Sequence, residues 1–354
     1  MNEFLNKVKQ HFQQNLPFVI YKKPNTQLIK GLFQNDSKLN LSDNLSETGF
    51  VFTSFDGINK IVIPKNSSQE ITIEFIPQTV PLIPKIESQI DEYAKNNFEF
   101  IVSKAINEIE NGTFSKVVLS RKEVIELPNF DLNSLFVKLA NAYPTAFAYC
   151  WFHPEIGLWM GATPETLLKV NGNIFQTVAL AGTQLYEGSE EVLWQNKEKE
   201  EQQFVTDYIV DSLSNSVSEV QISTPKTIKA GNLLHLKTSI QGIIDKKTNL
   251  NNLVLLLHPT PAVGGLPKLS AINFINENEG YNREYYAGYL GEINYNDNCD
   301  SDLYVNLRCM QVQNEIENSS AHLYIGCGIT KSSIPEKEWF ETVNKAMTLK
   351  NVIL

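Results

Sequence analysis

The stretch AFAYCWFHPEIGLWMGATPETLLKVNGNIFQTVAL, residues 146–180, decides the fold. Its apolar runs AFAYCWF, GLWMGA, TLLKV and IFQTVAL are separated by Pro154, Pro164 and the Asn171-Gly172 pair, residues that mark turns between strands. Connections this short cannot hold a crossover, so successive strands pair antiparallel. Toward the N-terminus, a helix is expected from about Asp131 to Ala142, ended by Pro144, and before it a strand at 116–127. Tyr93, Phe98, Ile101, Val102, Ala105, Ile106 and Ile109 recur at helical spacing up to Gly112. Prolines 77, 81 and 84 precede that helix and form the only linker-like stretch, after short strands at FVIY (18–21), GFVFTSF (49–55), KIVIP and ITIEF. Met1 to Gln14 reads as an amphipathic helix, with Phe4, Leu5, Val8 and Phe12 on one face.

Toward the C-terminus, a long helix is expected from about Glu190 to Leu213, with Phe204, Val205, Tyr208, Ile209 and Leu213 as its apolar stripe. Strands follow at QIS and around LLHLKTSIQGII, then helical runs NNLVLLL and LSAINFI, then strands at 285–295, 302–313 and 321–329. A last helix is predicted from Ser333, where Ser333-Ile334-Pro335-Glu336 has the pattern of a capping box. Hairpins interrupted by long helices argue an α+β fold with large antiparallel sheets and peripheral helices. Residues 1–90 are expected to carry no catalytic motif and 91–354 to form the catalytic region, the whole making one compact domain.

The chain has 354 residues, 42% hydrophobic and 20% charged, which excludes a disordered or fibrous protein. Forty Asp and Glu against thirty Lys and Arg give a formal net charge of -10, so nucleic acid is not expected as a partner. Cys150, Cys299, Cys309 and Cys327 form no CxxC pair, which argues against a zinc site or disulfide framework and fits a reducing cytoplasm. No apolar run approaches the roughly 18 residues of a membrane span.

Several residues could carry chemistry. The last helix places Glu338, Glu341 and Lys345 on one stripe, and the long central helix does the same with Glu198 and Glu201. Taken alone, each pair is a solvated helix face. Each also borders an apolar stripe, so the pairs could converge in one partly buried place, where crowded carboxylates with no His or Cys nearby select Mg²⁺. Lys116, at the start of an apolar strand, is either a snorkelling edge lysine or, in a dry cleft, a candidate general base. Glu165 follows Gly161-Ala162-Thr163-Pro164; a carboxyl partly buried on such a turn could stay protonated and act as an acid. His235 and Arg308 are single polar residues in apolar strands, readable as satisfied core groups.

The motifs FSKVVLSR (114–121), GATPETLL (161–168), ALAGT (179–183), KEKEEQ (197–202), LLHLKT (233–238), LHPTPAVGGLPK (257–268), REYYAGYLG (283–291), VNLRCM (305–310) and GCGITKSSIPEKEWFETVNK (326–345) together resemble the chorismate-utilising enzymes, and among them the isochorismate synthases. The resemblance spreads over about 230 residues in the family's order. It implies an isomerase that exchanges hydroxyl groups on a cyclohexadiene: water enters at C2 of chorismate while the C4 hydroxyl leaves. By carry-over Lys116 activates water and Glu165 protonates the departing hydroxyl. Glu201 and Glu341 match the family's Mg²⁺ ligands, with Glu198 and Glu338 as outer partners. Arg308, Tyr286, Lys345 and the backbone around Gly326 and Gly328 match positions that receive carboxylates, His235 one beside the reacting ring, and Ala181, Gly182, Thr183 and Ala262 further wall positions.

The resemblance also separates the branches. Aminating relatives have glutamine where Lys116 stands, and some have lysine where Ala181 stands; pyruvate-eliminating relatives have threonine where this chain has Ala262. Gln202 and Cys327 depart from the family's usual histidine and alanine. The expectation is therefore a cytoplasmic, monomeric, Mg²⁺-dependent isochorismate synthase serving menaquinone or siderophore biosynthesis, with a salicylate synthase or an inactive binding protein as alternatives.

Overall fold

The computed structural model describes residues 1–77, 91–230, 233–314 and 319–354. Prolines 81 and 84 of the linker-like stretch lie outside the described residues. The first part of the chain forms α1 (Asn2–Gln13), β1 (Phe18–Lys22), β2 (Leu28–Gln34), β3 (Asn40–Leu41), β4 (Gly49–Thr53), β5 (Lys60–Pro64) and β6 (Ser68–Glu74). Next come α2 (Glu92–Glu110), β7 (Lys116–Leu127), α3 (Leu132–Ala142), β8 (Phe147–His153), β9 (Gly157–Thr163), β10 (Thr166–Asn171), β11 (Ile174–Leu185) and α4 (Asn196–Leu213). The remainder gives β12 (Val217–Ile222), β13 (Lys226–Ala230), β14 (Leu233–Ile244), α5 (Leu250–Leu257), β15 (Gly265–Leu266), α6 (Lys268–Asn278), β16 (Tyr289–Ile293), β17 (Ser301–Val305), β18 (Cys309–Asn314), β19 (Ser319–Ile329) and α7 (Pro335–Ile353).

These strands make two antiparallel sheets, but the pairing expected between all successive strands of 146–180 fails at one connection: β9 and β10 lie in different sheets and do not pair. One runs β15-β7-β19-β18-β9-β8-β1-β2-β6; the other runs β12-β14-β11-β10-β17-β16-β4-β5-β3, with β13 also on β14. The N-terminal strands extend both sheets: Ile20 pairs with Cys150 and Val51 with Gly291. The centre of the first sheet, β1, β8 and β9, is buried on both faces, which explains the unbroken apolar sequence there. Val19, Tyr21, Tyr149 and Trp151 face the core between the sheets, whereas their neighbours Phe18, Ile20, Cys150 and Phe152 join a second core with α1, α3 and α7. Between the sheets, Phe52 stacks on Trp151 at 4.4 Å and on Tyr285 at 4.6 Å between ring centroids.

Four local expectations are corrected. The central helix begins at Asn196, not Glu190, and Phe204 of its supposed stripe is exposed while Val205, Ile209 and Leu213 are buried. The Ser333 capping box does not form: Ile334 occupies the cap position, Pro335 opens the helix, and the Ser333 hydroxyl instead accepts from the Thr330 N–H. The strand expected over 285–295 is confined to Tyr289–Ile293. The run expected as one strand over 302–313 is two, broken at Asn306-Leu307-Arg308, because there the chain passes from one sheet to the other. The Pro164-Glu165 turn is a second such crossing, between β9 and β10.

This packing predicts that Phe52→Ala lowers unfolding free energy by about 3–5 kcal/mol, whereas Ile58→Ala, at a side chain 73% exposed, costs below about 1 kcal/mol. Urea unfolding of both variants checks it; equal losses would contradict a core organised on this aromatic stack.

Candidate active site

The two crossings lie side by side. The Val305 N–H donates to the Glu165 carbonyl at 3.0 Å, the Thr163 hydroxyl to the Val305 carbonyl at 2.6 Å, and the Ala162 N–H to the Arg308 carbonyl at 3.1 Å. Glu165 and Arg308 are thereby delivered to the same cleft between the sheets. Arg308 has φ +48, a left-handed backbone that a non-glycine residue adopts only at a cost of about 1–3 kcal/mol, of the kind concentrated at working sites. Gly161 makes room for it, since a Cβ there would stand 2.9 Å from the Arg308 carbonyl oxygen. The guanidinium donates to the Thr348 hydroxyl of α7 at 2.7 Å.

The cleft, about 840 Å³ of empty space including its mouth, is lined by Lys116, Glu165, Ala181, Gly182, Thr183, Glu201, His235, Ala262, Tyr286, Arg308, Gly326, Gly328, Glu341 and Lys345, among others. Thus one member of each glutamate pair, Glu201 from α4 and Glu341 from α7, reaches it; Glu198 and Glu338 are not among the lining residues. Glu338 is buried on α7, one turn before Glu341. Lining residues that the sequence reading passed over include Leu307, Tyr324 and Leu349. Tyr324 sits on the strand two residues before Gly326 and stacks on Tyr286 at 5.5 Å, an alternation signal that could have revealed it.

Lys116 is 1% exposed, and its Nζ stands 2.8 Å from Glu201 Oε1, a pairing the sequence did not foreshadow. Glu201 is fixed from the other side by the Gly182 N–H, 3.3 Å from Oε2. Gly182 is available because the β11–β14 ladder shifts register between Ala181 and Gln184, and φ +70 at the glycine turns its amide out of the ladder. The same residue's carbonyl, which can only accept, lies 2.9 Å from His235 Nδ1, so Nδ1 carries the proton and Nε2 is left as a buried acceptor without a partner among the described residues. Burial, with Arg308 and Lys345 nearby, pulls His235 down to about 3, so the ring is neutral at physiological pH.

Burial acts on Glu165 in the opposite sense. Desolvation pushes its carboxyl up to about 7, outweighing the opposing pull of Lys116, Lys345 and Arg308. Lys345 bridges Glu341 Oε1 at 2.7 Å and the Gly326 carbonyl at 3.0 Å. Glycine is needed at 328, where a Cβ would stand 2.7 Å from Glu201 Oε1 and 3.2 Å from Lys116 Cε. At Gln202 the amide spans the Ala179 carbonyl and the Thr238 hydroxyl, both at 2.9 Å, tying α4 to two strands.

The arrangement offers an acid that is protonated near neutrality beside a buried lysine, with Arg308 and Lys345 as partners for carboxylates. The donor chemistry also fits a hard divalent cation. Glu201 and Glu341 supply oxygen ligands, and Glu198 has a buried oxygen, Oε2, with no hydrogen-bond partner among the described residues. Among the described residues, no three His, Cys, Asp or Glu side chains already form a metal-holding group; the two lining carboxylates are engaged by Lys116 and Lys345 instead.

Comparison with known proteins adds four findings. The chain is 30% identical over 272 residues to the isochorismate synthase EntC of Escherichia coli, covering 73% of this chain and 67% of that protein. It is 28% identical over 284 residues to anthranilate synthase component 1 of Saccharolobus solfataricus, covering 76% and 65%. Its fold matches the menaquinone-specific isochorismate synthase MenF of E. coli with a TM-score of 0.77 over 96% of this chain and 89% of the other, at 20% identity. The family described as chorismate binding enzyme matches residues 56–354, and the chain belongs to that family.

Proposed function

We propose that this protein is an isochorismate synthase, converting chorismate reversibly to isochorismate. The observation that carries the reading is the cleft that holds a buried lysine, a carboxyl raised to about 7 and alanine at both 181 and 262. In this reading Lys116 Nζ takes a proton from the water that bonds to C2. The ring double bonds shift, the C4–oxygen bond breaks, and Glu165 gives its proton to the departing hydroxyl, which leaves as water. Microscopic reversibility exchanges these roles in the return direction.

Arg308, Lys345, Tyr286 and the backbone at Gly326 and Gly328 receive the substrate's carboxylates, and the neutral His235 stands beside the ring. Glu201 and Glu341 would hold Mg²⁺, with Glu198 and Glu338 behind them; the ion supplies charge neutralisation at the substrate's ring carboxylate. Ala181 provides no amine and Ala262 no hydroxyl, which favours release of isochorismate over amination or loss of pyruvate. The reading includes a cytoplasmic monomer whose catalytic residues all lie within 91–354; the four cysteines are free, as a reducing compartment favours.

Lys116→Ala and Glu165→Gln are each expected to lower kcat by roughly 10²-fold or more with KM little changed. Steady-state turnover of chorismate measures this, and near-normal kcat would show both side chains to be structural.

The pH profile carries a second expectation. Glu165 works in its acid form, which dominates below its value of about 7 and is lost as pH rises through it. Activity should therefore fall about tenfold per pH unit above that point, and Glu165→Gln should flatten this limb. A limb unchanged by the substitution would assign it to another group.

Metal removal gives a third. EDTA should abolish turnover, and Glu341→Gln should raise the Mg²⁺ concentration for half-activity at least about tenfold. Full activity in chelator would remove the metal from the account.

A further inference from the structure

Behind the cleft, β7 runs along the edge of its sheet with only the two-residue β15 beside it, pairing Lys116 with Leu266 and Val117 with Gly265. The Val118 N–H still reaches the Gly264 carbonyl at 2.8 Å, and there the backbone partner ends. A buried ion pair takes its place. Arg283 donates through Nη2 to the Val118 carbonyl at 2.6 Å, and the Ser120 N–H donates to Glu279 Oε1 at 2.6 Å, so two side chains continue the ladder that a strand would have supplied.

The guanidinium also reaches sideways. Its Nη1 donates to the Val263 carbonyl at 3.0 Å, while Nε and Nη2 hold the two Glu279 oxygens at 2.8 and 2.5 Å. Glu279 further accepts from the Ser120 hydroxyl, and the Ser120 and Tyr281 hydroxyls are 2.6 Å apart. Arg283 is 3% exposed and lies 4.5 Å over the Phe55 ring. Val118 and Val263 line the cleft, two residues from Lys116 and one from Ala262. One planar group, with four hydrogen bonds to Val118, Val263 and Glu279, therefore fixes the strand of the lysine against the loop of the alanine.

We propose that the Glu279–Arg283 pair is a positioning element for catalysis, holding Lys116 and Ala262 at their working separation across the cleft wall. The inference rests on the isochorismate synthase reading. A base displaced by about 1 Å can lose on the order of 10²-fold in rate while the substrate's carboxylates stay bound elsewhere, so the effect belongs in kcat and not in KM.

The test uses the full-length protein and chorismate with Mg²⁺. Wild-type turnover is measured first, since its absence would overturn the functional reading and not the clamp. The double variant Glu279→Gln/Arg283→Met removes both buried charges at similar volume and is expected to remain folded. The expected result is a fall in kcat of about tenfold or more, with KM and the dissociation constant of chorismate within about threefold of wild type. Arg283→Lys keeps the charge beside Glu279 but replaces the planar fork with a single nitrogen, and should show the same split at about three- to tenfold. Wild-type kcat in either folded variant, a rise in KM with kcat unchanged, or failure of both variants to fold would overturn the proposal.

Discussion

The contact of Lys116 with Glu201 spans the molecule: Lys116 begins β7 of one sheet, and Glu201 stands on α4, which packs on the other. Burying either the nitrogen or the carboxylate without its partner is costly, which ties the two layers to one geometry. Much of the cleft follows from holding that pair. The Gly182 bulge presents its amide to the other oxygen of the carboxylate, and its carbonyl then fixes His235 as a neutral acceptor. Gly328 must lack a side chain because both partners crowd it. What remains is an electrostatic arrangement in which Glu165, which burial pushes up to about 7 against the pull of Lys116, Lys345 and Arg308, is the carboxyl left protonated near neutrality.

The two layers also explain where the chemistry sits. A chain that switches sheets must turn through the gap between them, and it does so beside Glu165 and beside Arg308. At these joints the backbone leaves its ladder, so its side chains point between sheets and not onto a packed face. Arg308 meets this demand through a left-handed conformation, and Gly161 leaves the space it needs. Side chains at crossings are held by ladders on either side, which gives them precision without a loop of their own.

Most of the fold was legible because period-two alternation and turn residues act locally. The four strands of 146–180, the amphipathic N-terminal helix and α3 stand where the sequence placed them, although the second and third of those strands part to different sheets. The misreadings involve tertiary choices. Glu190 to Gln195 have helical composition but no apolar stripe to bury, Ser333 found a nearer donor than the helix, and residues 302–313 contain a sheet crossing that apolar composition cannot reveal. In the cleft, residue types suggested roles, but spacing could not say that Glu201 and Glu341 would line it while Glu198 and Glu338 would not. Arg283 and Glu279 were invisible for a similar reason: charges four apart in NENEGYNREYY read as a solvated surface, and only the unpaired edge of β7 gives them a buried task.

Relatives of different activity share this architecture, so the distinction rests on a few side chains facing the ring. The most direct measurement is product analysis by proton NMR, with a coupled pyruvate assay, after incubating the protein with chorismate, Mg²⁺ and ammonium. The account predicts isochorismate and chorismate at equilibrium, reached from either side, with neither pyruvate nor an aminated product. Salicylate with an equal amount of pyruvate, an amino compound, or no consumption of chorismate would contradict it.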